Sequence, residues 1–246
     1  MPFYDANGNH LTSLSEYLGI AQKQIIQVAG AGGKTTLLSV LAVENQEKKV
    51  CVTTTTKRYR PDDKTFVIKE GELLTPERLK EARGYVEAGR YVTDRKVCYP
   101  GKENLKILID WADLTLIEAD GSRCLPLKCV YPHEPVFVQE IILNQSQKEM
   151  QIPVSTIIVA GLNSLGKKMR DACYGYELVS DEIHEEEIIT TDIIARLLSR
   201  FFLEPFHHLN PQVVLSHADT PERIQAGIQI FRELKYSGVL MDIVEV

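Results

Sequence analysis

Apolar residues in this chain gather into short, nearly continuous runs, separated by longer stretches where they recur at helical spacing. The runs QIIQVA (24–29), KVCVTT (49–54), TFVIK (65–69), RYVT (90–93), DLTLIEA (113–119), STIIVAG (155–161), QVVLS (212–216) and GVLMDIV (238–244) read as strands. Several are apolar enough to be covered on both faces. Helical patterns fall between them at 34–45, 76–88, 102–111, 185–202 and 221–234. Two of these begin with the same tetrapeptide, TPER, at 75–78 and 220–223. Its Thr can cap open N–H groups, its Pro suits the first helical position, and its Glu suits the positive end of the helix dipole. The acidic run SDEIHEEE (180–187) reads in the same way, as the solvated start of the 185–202 helix, with His184 among its carboxylates.

Alternation of strands and helices predicts an α/β fold, a three-layer, mostly parallel sheet flanked by helices, with ligands at the carboxyl ends of the strands. A length of 246 residues, 44% of them hydrophobic and 25% charged, suits one large domain spanning 1–246. The least regular region, 121–153, contains Pro126, Pro132, Pro135 and Pro153 and reads as a long loop or small insertion. A net charge of −6 argues against broad nucleic-acid or membrane-surface binding. No apolar run approaches the roughly 20 residues of a membrane span, and the N-terminal segment is neither basic nor apolar, so a cytoplasmic protein is expected. The five cysteines, odd in number and without a CxxC pair, imply neither a disulfide framework nor a zinc knuckle, and are expected to be reduced and in several cases buried.

The stretch that changes this picture is VAGAGGKTTLLSV, Val28 to Val40. A phosphate-binding loop of the usual spacing ending in Gly33-Lys34-Thr35 would open with glycine at position 28, where this chain has Val28. A strand nonetheless runs directly into GAGGKTT and an apolar helix follows, which is the context such a loop requires. Its backbone N–H groups would form an anion nest at a helix N-terminus, with Lys34 adding a mobile charge. The conformational demands fall on Gly30, Gly32 and Gly33. The spacing Gly30-x-x-Gly33-Lys34-Thr35-Thr36 resembles the contracted phosphate loops of the Mur ligases and folylpolyglutamate synthases. Residues Gly30, Ala31, Gly32, Gly33, Lys34, Thr35 and Thr36 are therefore expected to bind the phosphates of ATP or GTP, with the Thr35 hydroxyl on Mg²⁺.

A carboxylate should complete such a site. DLTLIEADGSR offers Glu118 and Asp120, two apart and hence on one face of an extended strand, as metal or catalytic groups. Thr53 to Arg60, TTTTKRYR, sets hydroxyls at the end of the second strand, with Thr55 or Thr56 expected near the metal and Lys57, Arg58 and Arg60 able to meet an anion. His133 beside Glu134 offers a general base or a metal ligand. VVLSHAD (213–219) resembles the guanine-holding Asn-Lys-x-Asp element of GTPases, with Ser216 and His217 in place of Asn and Lys. Asp219 there either meets a base or caps the TPER helix.

Taken in order, GAGGKTT, TTTTK, EADGSRCLPLK and YPHEP resemble the YqeC family, described as accessory proteins of selenium-dependent hydroxylases or selenium cofactor biosynthesis proteins. The resemblance runs through Gly30–Thr36, Thr53–Lys57, Glu118–Arg123, Leu125–Lys128 and His133–Pro135. It extends to GLNSLGKKM (161–169), after which CYGYE replaces an expected basic residue. Cys124 and Cys129 flank LPLK without being required by the family pattern. The resemblance implies a P-loop NTPase-like protein that assists maturation of molybdenum hydroxylases, with a hydroxylase or its cofactor precursor as partner. Two alternatives stand beside an NTPase: an ATP-dependent amide ligase or small-molecule kinase, and a nucleotide-regulated adaptor with negligible turnover.

Overall fold

The computed structural model describes residues 1–20, 23–59, 65–80, 85–142 and 152–243. Its first half runs β1 (Phe3–Asp5), β2 (His10–Leu11), α1 (Leu14–Tyr17), β3 (Gln24–Gly30), α2 (Lys34–Glu44), β4 (Val50–Thr54), β5 (Lys57–Tyr59), β6 (Thr65–Ile68), α3 (Pro76–Lys80), β7 (Val86–Thr93), β8 (Lys96–Cys98), α4 (Lys102–Trp111) and β9 (Leu114–Glu118). The second half continues with β10 (Leu127–Lys128), α5 (Val138–Ile142), β11 (Val154–Gly161), α6 (Met169–Ala172), β12 (Cys173–Tyr174), α7 (Thr191–Leu198), β13 (Gln212–Ser216), α8 (Pro221–Leu234) and β14 (Gly238–Met241).

Twelve strands build one sheet in the order β2-β1-β14-β13-β11-β3-β9-β4-β7-β8-β5, with β6 also paired to β7. The stretch from β14 to β7 is parallel throughout, and antiparallel pairs occur at the two margins. Strands β4, β6 and β7 lie to one side of β3, and β11, β13 and β14 to the other. The carboxyl end of β3 therefore borders the point where chain connections diverge, the place in such sheets where a crevice opens.

Alternation along β3 explains the three layers. Ile26 and Val28 pack with Leu37, Leu38 and Leu41 of α2 and Leu14 of α1 on one face. Ile25 turns to the other face, against Leu105 and Ile109 of α4, and Ala29 joins the cluster built on α7 and α8. Gln27, wholly buried between them, is satisfied on both sides: its amide donates to the Thr156 hydroxyl at 2.9 Å, and its oxygen accepts from the Val138 N–H at 3.0 Å.

Both TPER segments start helices as expected, with Thr75 accepting from the Arg78 N–H and Thr220 from the Arg223 N–H. Two helix expectations need correction. The pattern at 76–88 contains α3 only over 76–80, and 86–88 open β7, because Val86 and Glu87 pair in parallel with Cys51 and Val52 and bury Val86 and Ala88. Residues 81–84 of that pattern, like Arg60, lie outside the described residues. The pattern at 185–202 begins at α7, since the Thr190 hydroxyl caps it by accepting from the Ile193 N–H, and α7 passes into a π-helical turn over Ser199–Leu203. The acids of 180–187 accordingly serve no helix dipole. They form turns, in which Glu186 pairs with Lys168 and Arg170. Within 121–142 the chain is mostly irregular, carrying β10, α5 and a cis Glu134–Pro135 bond, and β10 pairs with β12 apart from the large sheet.

Glu44, at the end of α2, ties the start of α1 to α2. It accepts from the N–H groups of Leu14 and Ser15 and from the hydroxyls of Ser13 and Ser15, satisfying amides that a helix start leaves open. Burial works to raise its pKa, but the hydrogen bonds outweigh it and hold the carboxyl below its ordinary value. A depressed folded pKa gives stability that is present above the unfolded carboxylate pKa and lost as pH falls through the folded one. Glu44→Gln is therefore expected to lower the urea midpoint at neutral pH, with the gap to wild type closing as the unfolding curves are repeated at progressively more acidic pH.

Candidate functional site

At the end of β3 the backbone enters a turn that only glycine tolerates. Gly30 and Gly32 have φ of 99° and 73°, and an added Cβ would stand 2.2 Å from the Val159 carbonyl oxygen at Gly30 and 2.7 Å from that of Pro126 at Gly32. Gly33 precedes α2 without any side-chain cap. Among the described residues, no protein acceptor takes the N–H groups of Gly32, Gly33, Lys34, Thr35 or Thr36. The Ala31 N–H donates to Val159 at 2.8 Å, and the Ser216 hydroxyl donates to the Gly32 carbonyl, so the turn is braced by β11 and β13 while its amides stay open.

Beneath the turn lies a buried charge cluster. Lys34 Nζ donates to the Gly30 carbonyl and stands 3.2 Å from Asp120 Oδ1. The other oxygen of Asp120 accepts from the Gly30 N–H at 3.1 Å and stands 3.0 Å from Lys128 Nζ. Lys128 also donates to the Gly121 carbonyl and pairs with Glu134. Asp120 has no exposed surface. The sequence offers it with Glu118 as a metal or catalytic group; in the structure β9 ends at Glu118 and the Asp120 carboxylate holds two lysines beneath the loop.

Glu118 does face the open side. Its Oε2 accepts from the Thr35 hydroxyl at 3.5 Å and stands 3.7 Å from Arg58, whose guanidinium also meets Glu87 at 3.3 Å. Burial raises the Glu118 pKa, while Lys34 and Arg58 oppose the rise and Asp120 adds to it. Both residues of the Thr35–Glu118 pair border a cleft of about 980 Å³ that also takes in Gly32, Gly33, Lys34 and Thr36. Lys57, Arg58, Lys96, Arg123, Glu134 and Tyr174 line it as well.

Other expected residues stand elsewhere. The Thr55 hydroxyl donates to the Val136 carbonyl at 2.6 Å, and Thr55 does not line the cleft, because the strand-end hydroxyls are spent on neighbouring backbone: Thr53 on Ala88 and Thr54 on Glu118. His133 is exposed and stacked with Tyr131, ring centres 6.1 Å apart, so the member of that pair on the cleft is Glu134. Asp219 gives both oxygens to Arg223 at 2.7 and 2.8 Å and lines a separate hollow of about 430 Å³. Asn163, His217 and Ile243 border both spaces. Of the cysteines, Cys124 is exposed on the cleft and the other four are buried. Cys129 and Cys173 approach to 3.7 Å, and burial pushes Cys51 up to about 12.

Lys128, Ser216 and Tyr174 were not foreseen as site residues. Lys128 carried a signal, since a lysine in the apolar run LPLKCVY needs a buried partner. Ser216 lay in the segment compared with a base-reading element, and its hydroxyl supports the loop.

Fold and site together define a parallel α/β protein with a glycine turn between its central strand and the following helix. The chain belongs to the YqeC family, whose model, described as YqeC protein, matches residues 26–177. It is 35% identical over 123 residues to a protein of Escherichia coli (strain K12) described as "Uncharacterized protein YqeC". That match covers 47% of this chain and 48% of the relative, so the alignment spans about half the length of each.

Removing the carboxylate at 120 would leave Lys34 without its ion-pair partner and Lys128 with only Glu134. Asp120→Ala is expected to cost about 3–5 kcal/mol, the range for breaking a buried ion pair from one side. Asp120→Asn, which keeps an acceptor but not the charge, should cost less. Urea unfolding of the two variants beside wild type measures both, and equal stability of all three would contradict the role of the cluster.

Proposed function

We propose that this protein binds a Mg²⁺-complexed nucleoside triphosphate, ATP or GTP, on the Gly30–Thr36 loop, and hydrolyses it or transfers its terminal phosphoryl group. In this proposal the reaction assists maturation of selenium-dependent molybdenum hydroxylases. The carrying observation is the convergence of five open amides, Gly32 to Thr36, with the Lys34 ammonium group at the start of an eleven-residue helix. Such a concave array with the helix dipole behind it favours a polyanion.

The side chains divide the work. Lys34, held by Asp120 and the Gly30 carbonyl, would supply its ammonium group to the phosphate oxygens. The Thr35 hydroxyl and Glu118 carboxylate fit the hard-oxygen preference of Mg²⁺. Among the described residues no group of three or more His, Cys, Asp or Glu is placed to hold a metal, in keeping with a cation that draws its other ligands from phosphate and water. When bound, Mg²⁺ would supply charge neutralisation on the phosphates. Arg58 orients Glu118 and balances its charge until then.

The hydroxylase role is supported by the family's described association alone, and a hydroxylase or its cofactor precursor is the proposed partner. No helix among the described residues is long and apolar enough to cross a membrane, and a cytoplasmic location belongs to the proposal. Phosphoryl transfer to a small molecule is a second version, favoured by the excess of cations around the cleft.

Calorimetry with Mg²⁺–ATP and Mg²⁺–GTP tests the proposal. Wild type is expected to bind one or both, and Lys34→Ala to lose at least about tenfold in affinity, the scale of one charge-assisted hydrogen bond. A melting curve in parallel establishes that the variant is folded. Undiminished affinity in folded Lys34→Ala would remove Lys34 from this role, and absence of binding to wild type would overturn the proposal. Measured phosphate release then separates turnover from a binding-only adaptor.

A further inference from the structure

The charges around the cleft sort into two groups. Its two acids are both engaged, Glu118 beside Arg58 and Thr35, and Glu134 with Lys128. Of its cations, Lys34 and Arg58 are held by buried carboxylates. Lys57, Lys96 and Arg123 line the same space, and among the described residues no carboxylate lies within ion-pair distance of any of them.

These three stand on elements other than the glycine turn. Lys57 and Lys96 lie on the adjacent antiparallel strands β5 and β8, with Lys96 directly opposite Tyr59. Arg123 lies in the loop after β9. Aromatic rings hold two of the three without cancelling their charge: Lys96 Nζ is 5.2 Å from the Tyr59 ring centre, and the Arg123 guanidinium is 5.0 Å from that of Tyr174. A cation over a ring face is restrained while its N–H donors remain free for an oxyanion.

The loop carrying Arg123 is also fixed from below. Arg123 and Cys124 are successive non-glycine residues in the left-handed region, at φ of 50° and 62°, a conformation that persists where surroundings enforce it. Here the Leu125 N–H donates to the Ser122 carbonyl at 3.0 Å and Lys128 donates to the Gly121 carbonyl at 2.6 Å. The cleft, at about 980 Å³, is at the upper end of what a single small ligand fills.

Resting on the nucleotide assignment above, we propose that this part of the cleft binds a second, anionic substrate, a small molecule whose phosphate-like oxyanion is taken by Lys57, Lys96 and Arg123 while the nucleotide occupies the glycine turn. The site thereby accepts two anions side by side.

The test uses full-length protein saturated with Mg²⁺ and a non-hydrolysable triphosphate analogue, titrated at fixed ionic strength with inorganic phosphate as the probe and followed by calorimetry. Loaded wild type is expected to bind phosphate saturably. Arg123→Gln and Lys96→Gln should each weaken phosphate by about tenfold, while their affinity for the analogue stays within about twofold of wild type. Equal losses of phosphate and analogue would assign these cations to the nucleotide and overturn the inference, as would a loaded wild type that takes no phosphate. Failure of wild type to bind the analogue at all is a different result: it removes the nucleotide assignment, and the second-substrate inference falls with it.

Discussion

A carboxylate with no exposed surface, set between two buried ammonium groups, governs this end of the molecule. Asp120 reaches Lys34 on one side and Lys128 on the other, and accepts from the Gly30 N–H between them. Glu134 brings the count to two acids and two lysines, so the cluster is close to neutral. Buried charges persist only when matched in this way. The match crosses three parts of the chain, the β3–α2 turn, the end of β9 and the 121–134 loop. The position of Lys34 in the cleft thus depends on a loop about a hundred residues further along the chain.

Close backbone packing reinforces that dependence. Gly32 is crowded by the Pro126 carbonyl and by Gly161, and the Gly161 N–H donates to that same carbonyl at 2.8 Å. The Ser216 hydroxyl closes on the Gly32 carbonyl from β13. Carbonyls of the turn are thus occupied from behind and its amides are left facing the cleft. This asymmetry, more than any one side chain, gives the turn its positive face.

Much of this was legible in the sequence, for local reasons. A strand, glycines and an apolar helix in direct succession leave few alternatives, so β3 and α2 were foreseen nearly to the residue. The two TPER caps act within three residues of themselves and behave as expected. What the sequence leaves open depends on contacts distant in the chain. Glu118 and Asp120 share a face only while the strand continues, and it stops at Glu118. The hydroxyls of Thr53, Thr54 and Thr55 are turned to carbonyls that no local pattern reveals, and α7 starts late because Thr190 caps it and Ile189 is held by the Lys167 carbonyl. The HE pair was noticed, but which member meets the cleft was settled by Lys128, whose role a single sequence shows only as a lysine in an apolar run.

The distribution of charge links these points. A chain with a net charge of −6 repels anions at a distance, yet its cleft is lined by five Lys and Arg side chains against two Glu. Had the cations all been paired, the cleft would be a set of structural ion pairs with little field beyond it. Instead the pairs are concentrated under the glycine turn, where desolvation makes matching obligatory, and the cations that make no contact ion pair are exposed, where water carries the cost. A positive hollow in a negative surface focuses the potential on one place and selects anions there without making the protein generally adhesive to polyanions. The buried acids thus set the geometry of the site, and the free cations set what it attracts.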